Sequence, residues 1–176
     1  MITDKSVVKT EAVFSDDRQH RYLLRKEWDK NNKKAMVLMV NPSYADGMLV
    51  DPTTMYVLNN LYRMDFGTAE IVNIFSAVDG RKSMKNEIEQ DNLEQILASA
   101  ARVDIIIIAW GKAGDTSKAV QKRQEYFLEK LSEFSDKMQM IGFHPLAPRM
   151  RLRWKLEKLR EKNTVQPLPA NTSNSD

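Results

Sequence analysis

The chain has no cysteine. Disulfide staples and thiolate metal sites are therefore excluded, and a reducing compartment suits the composition. Long apolar runs are missing too. The longest, Val103 to Trp110, is broken by Asp104 and falls far short of the roughly 20 residues of a membrane helix. The opening residues, MITDKSVVK, carry an acidic Asp4 and no apolar centre, so no secretion signal is expected. Histidine is scarce: only His20 and His144 occur, which leaves no histidine cluster for a metal. No internal repeat is visible. The expectation is a soluble, cytoplasmic monomer that meets no membrane.

What is present is enough for a real core. A length of 176 residues suits one domain. The formal net charge of +3 is modest and singles out no partner. Residues 1–162 are expected to form a single α/β domain. Residues 163–176, rich in Pro, Asn and Ser, are expected to be a mobile tail.

Periodicity places the elements. Ser6 to Phe14 and Arg21 to Trp28 read as an N-terminal strand pair, with Tyr22, Leu24 and Trp28 on one face. Lys34–Val40, Glu70–Phe75, Asp104–Trp110 and Lys137–Gly142 read as core strands. DIIIIAW lacks alternation, as a strand covered on both faces should. Helices are expected over Thr54–Asp65, Glu87–Ala101 and Thr116–Phe134, with Gly67 as a stop signal for the first. Arg151–Lys162 is basic and helix-compatible, with Leu152, Leu156 and Leu159 on one side. Alternation of strand and helix predicts a three-layer α/β/α sandwich around a mainly parallel four-stranded sheet. The strand ends at Asn41, Phe75, Trp110 and Phe143 would then share one rim.

The stretch Met36 to Thr54 is the most suggestive. A buried strand breaks at Asn41-Pro42 into a loop with Ser43, Tyr44, Asp46 and Asp51, and Pro52 then suits a helix start. Amide, hydroxyl and carboxylate groups beyond a strand end make a candidate site. An ordinary strand–helix connection would hold the same residue types. Asn73 interrupts an apolar strand, and it is either a structural amide or a reader of a ligand edge. Trp110 is expected to be structural support. The basic run Arg149, Arg151, Arg153, Lys155, Lys158, Arg160, Lys162 is either a solvated face or a phosphate-binding surface.

The segments NPSYAD, DPTT, VNIF, AWG and HPLAP, in this order, resemble the bacterial family of unknown function DUF1643 across roughly residues 20–150. The same pattern resembles, more distantly, the uracil-DNA glycosylase superfamily. That resemblance implies Asn41-Pro42 at the water-positioning strand end, Asn73 as base reader, Trp110-Gly111 at a third strand end, and His144-Pro145-Leu146 as the loop that contacts base and DNA. Asn-Pro is shared with the mismatch-specific branch; elsewhere an acidic residue serves, a role open here to Asp46 or Asp51. The implied reaction is hydrolysis of an N-glycosidic bond in double-stranded DNA containing a modified or damaged base, with no cofactor and no metal. Base flipping would need a wedge, for which Leu146 and Met150 are candidates, and phosphate contacts, for which Arg149, Arg151 and Arg153 are candidates. Uracil-specific members carry a bulky Tyr after Asp-Pro, where Ser43 stands here. With Ser43 and Tyr44 in the base pocket, a 5-substituted pyrimidine, including glycosylated hydroxymethylcytosine, is the expected substrate, and defence against phage DNA the expected role. Two other readings stay open. One is a metal-dependent nuclease using Asp46 and Asp51, and the other is a non-catalytic nucleotide- or DNA-binding module.

Overall fold

The computed structural model describes residues 1–78 and 89–159. Seven strands occur among them: β1 (Lys9–Phe14), β2 (Arg21–Glu27), β3 (Lys33–Met39), β4 (Phe66–Asn73), β5 (Ile105–Ile108), β6 (Met138–Met140) and β7 (Glu157–Lys158). The helices are α1 (Pro52–Arg63), α2 (Gln90–Arg102), α3 (Ala113–Thr116) and α4 (Lys118–Lys130).

One mixed sheet runs in the order β1-β2-β4-β3-β5-β6-β7. The pairs β3/β4, β3/β5 and β5/β6 are parallel. The pairs β1/β2, β2/β4 and β6/β7 are antiparallel. The α/β class agrees with the sequence reading, but the expected four-stranded, mainly parallel sheet does not. The N-terminal pair is continuous with the parallel strands, because Leu24 of β2 lies opposite Ile71 of β4. Tyr22, Leu23 and Leu24 are all buried, as befits an inner strand rather than an edge.

Helices cover both faces. Met36 and Leu38 of β3 pack with Ile96 and Ala100 of α2 and with Phe127 of α4. Ala35, Val37 and Met39 point the other way, onto Val57 and Leu61 of α1 and onto Met150 and Trp154. Strand β3 hands the chain to α1 on one face, whereas β4 and β5 hand it to α2 and α4 on the other. The carboxyl end of β3 is therefore the topological switch point of the sheet, the place where α/β folds bind ligands. No helix among the described residues is long and apolar enough to cross a membrane.

Three local expectations change. Gly67 lies within β4 rather than stopping α1, and a Cβ there would meet the Asp29 carbonyl at 1.9 Å. The turn after α1 instead uses Asp65, at φ 59°. The helix expected over 116–134 is broken at Ser117, with α3 before it and a 3-10 segment over Ser132–Lys137 after α4. The helix expected over Arg151–Lys162 does not form in its described part. Asn60 of α1 donates to the carbonyls of Met150 (3.2 Å) and Arg151 (3.4 Å) and accepts from Trp154 N (2.9 Å). These three bonds fix Met150, Arg151 and Trp154 against α1 in a path that is not α-helical. The chain therefore runs past α1 into β7. Residues 87–88 of the second expected helix, and the tail 163–176, lie outside the described residues.

Candidate active site at the strand-end rim

Strand β2 starts where β4 ends, so its first residue joins the rim formed by the parallel strands. Arg21 occupies that position and is 1% exposed. Its guanidinium donates to the carbonyls of Ala45 (2.7 Å) and Ser43 (3.3 Å) and to Asn73 Oδ1 (3.3 Å). Burial pulls its pKa down to about 10, and the charge of Asp51 opposes that fall. The group is therefore still a cation at neutral pH. Lys26, further along β2, donates to the Gly47 carbonyl at 3.0 Å. Burial lowers its pKa as well, against the pull of Asp46. Two buried cations thus fasten the loop after β3 by its carbonyls. Neither was singled out from sequence. The available signal was Lys26 on the same strand face as Tyr22, Leu24 and Trp28.

The two aspartates of this loop have local partners. Asp51 is the N-cap of α1. Its Oδ1 accepts from Thr53 N (2.7 Å) and Thr54 N (3.1 Å), and its Oδ2 accepts from Ser43 Oγ (2.6 Å) and Thr54 Oγ1 (2.7 Å). Burial pushes its carboxyl up, but bonds from Ser43 and Thr54 and the two backbone amides outweigh that and hold it below the usual range. Four bonds occupy the acceptor sites of a carboxylate. Asp46 Oδ1 accepts from the amides of Met48 and Leu49, both at 2.8 Å. Those amides, Leu49 first, keep its pKa low. The Ser43 hydroxyl spends its proton on Asp51, so toward a ligand it can only accept. Asn41 and Tyr44 are exposed, and Pro42 is buried.

Asn73 ends β4 at 1% exposure. Arg21 claims its Oδ1, and Asn92 Nδ2 donates to its backbone carbonyl at 3.0 Å. Its Nδ2 has no hydrogen-bond partner among the described residues. The neighbouring guanidinium, a pure donor, fixes which end of the amide is oxygen. The unspent group is therefore a donor.

His144 lies across the rim, after β6. Its Nδ1 accepts from Leu146 N at 3.2 Å, which puts the proton of the neutral ring on Nε2. Burial holds its pKa below the ordinary histidine value. Trp110, 9% exposed, is part of the core, and Gly111 after it adopts φ +59° directly against His144. The second histidine, His20, is at the same rim, its Nδ1 2.7 Å from Ser76 Oγ and 3.8 Å from Glu89 Oε1.

The proposed DNA contacts divide. Leu146 is 38% exposed and Arg149, Arg151 and Arg153 are exposed. Met150 is 7% exposed, packed on the α1 side of the sheet, and is not available as a wedge. Arg151 Nε donates to the Leu146 carbonyl at 3.0 Å, which ties the basic segment to the His144 loop. Among the described residues, no group of three or more His, Asp or Glu side chains is placed to hold a metal ion.

A family model described as a protein of unknown function, DUF1643, matches residues 21–148. No curated protein and no solved structure matches the chain.

Proposed function

The chain belongs to the DUF1643 family, and we propose that it is a monofunctional DNA glycosylase acting on a 5-modified pyrimidine in double-stranded DNA. The observation that carries this reading is the Asn73 amide. It is buried, oriented by Arg21, and left with an Nδ2 donor unspent among the described residues, at a strand end next to the switch point of the sheet. An unsatisfied buried donor costs on the order of 1–3 kcal/mol. A flipped base offering a carbonyl or ring-nitrogen acceptor would remove that cost.

The chemistry then divides among three residues. As the bond between C1′ and the base breaks, its electron pair leaves with the base. Water adds to C1′, one of its protons is released, and the base takes up a proton. His144, neutral and carrying its proton on Nε2, can donate a hydrogen bond to the base oxygen where negative charge develops. Asn41 orients the water without acting as a base. Asn73 holds the base edge. The small Ser43, where uracil-specific enzymes place a bulky Tyr, leaves space for a 5-substituent. Exclusion of modified phage DNA is the role such an activity would suit.

The saturated Asp51 carboxylate favours a second reading, a non-catalytic DNA-binding module, since it removes one of the two loop carboxylates that could position water. One experiment separates the two. Duplexes carrying 5-hydroxymethylcytosine, its glucosylated form or uracil are incubated with protein and chelator, then treated with alkali. Alkali-revealed breaks at the modified base are expected. Binding without breaks on every duplex would replace the glycosylase with the module.

A further inference from the structure

A concavity lies away from this rim. It has a volume of about 510 Å³ and is lined by Asn60, Arg63, Met64, Leu152, Arg153 and Trp154. That is within the usual range for small-molecule sites, roughly 300–1,000 Å³. Helix α1 separates it from the candidate active site. The N-cap Asp51 is at the rim and Arg63 at the other end, 12 helical residues on, or about 18 Å along the axis.

Its walls are fixed and most of their polar groups are used. Asn60, 1% exposed, spends its amide on Tyr56, Met150, Arg151 and Trp154. The Trp154 indole, 4% exposed, donates to the Met150 carbonyl at 3.0 Å. Arg63 places one guanidinium nitrogen on the Leu152 carbonyl at 3.3 Å. The groups left to meet a ligand are the guanidinium of Arg153, which has no hydrogen bond or ion pair among the described residues, and the remainder of Arg63. Both arginines are exposed at the pocket, and no carboxylate lines it. Met64, Leu152 and the edge of Trp154 supply apolar wall.

Two planar forks over an apolar floor match a phosphate ester joined to a flat apolar body. Guanidinium binds phosphate bidentately, and no carboxylate in the lining competes for the pair. We propose that this pocket is a phosphate-ester site, with the phosphate between Arg63 and Arg153 and the attached base or other ring over Met64, Leu152 and Trp154. The shared chemistry has two sources, a free mononucleotide and a backbone phosphate of bound DNA. The inference does not depend on the glycosylase reading.

The test is titration of the full chain with inorganic phosphate, with a pyrimidine mononucleotide and with an unmodified duplex, followed by calorimetry and by the Trp154 indole NMR signal. Saturable binding of the mononucleotide, tighter than that of inorganic phosphate and moving the Trp154 signal, is expected. Arg153→Ala should weaken it by about tenfold or more, the scale of a lost charge-assisted hydrogen bond, and Arg153→Glu should weaken it further. Arg153 is exposed and has no partner among the described residues, so these variants should fold, and Arg63→Lys gives an independent check. Displacement of the nucleotide by duplex assigns the site to DNA backbone; persistence assigns it to a free ligand. No saturable binding of either, or binding indifferent to Arg153→Glu, overturns the site. Asn73→Asp should leave nucleotide binding here unchanged, which keeps failure of this inference distinct from failure at the rim.

Discussion

Gly111 sits so close to His144 that a Cβ on residue 111 would be 2.8 Å from the His144 backbone nitrogen. Its φ of +59° also lies in the left-handed region. Two strand-end loops, after β5 and after β6, can touch only because one of them has no side chain there. The histidine proposed to face the base owes its position to that contact.

Gly111→Ala is accordingly expected to destabilise the fold by about 1–3 kcal/mol, from the strained φ and the contact together. Urea denaturation measures it. Base release should fall by more than stability accounts for, since the His144 loop must shift. Wild-type stability with wild-type rates would show that the close approach does no work.

Arg21 gives a second expectation. Arg21→Met removes the donor from Ser43 O, Ala45 O and Asn73 Oδ1 at once. Leaving buried acceptors unpaired should cost about 2–4 kcal/mol. Arg21→Lys cannot span all three and should recover only part. If both variants melt like the wild type, the loop after β3 is held by something else.

These contacts also show what a linear reading reaches. The run Ile105–Ile108 is a strand on composition alone, because a four-isoleucine run suits burial on both faces. Asp51-Pro52-Thr53-Thr54 carries a helix start in its residue types, and the N-cap bonds of Asp51 follow from it. Arg21 is different. A cation at the head of a strand reads as surface until the carbonyls of residues 43 and 45 fold onto it. The helix expected after Arg151 failed for a similar reason. The leucine spacing there is genuine, but Asn60, 90 positions from Met150, holds Met150, Arg151 and Trp154 against α1 in a path that is not α-helical. Both misses come from a single polar group acting over a long sequence distance, which local periodicity does not encode.

His144 should leave a signature in pH. Its ordinary pKa is 6.5, and burial lowers it in the folded state. Between the two values the unfolded chain binds more protons, so stability rises with pH across that window. The contribution is fully present above about pH 6.5 and is lost as pH falls through the folded value. Urea midpoints measured from neutral pH down to about pH 5 should fall less steeply for His144→Gln than for the wild type. Parallel curves would mean that the ring is not buried enough to resist its proton.

Asn73→Asp isolates the base-reading role from the structural one. The substitution keeps shape and keeps an oxygen toward Arg21, where the hydrogen bond becomes charge-assisted. It replaces the unspent Nδ2 donor with an acceptor. Stability at neutral pH is therefore expected to hold or rise slightly, with the wild-type urea midpoint as reference. Base release should nevertheless drop by about 10²–10³-fold, the scale for one preorganised donor. Asn73→Ala cannot make this separation, because it also strips Arg21 of a partner. If Asn73→Asp releases base at the wild-type rate while remaining folded, Asn73 is a structural amide and the base edge is read elsewhere on the rim. If it is inactive but also strongly destabilised, the carboxylate is not paired with Arg21 as the 3.3 Å contact requires, and the amide orientation assigned here is reversed.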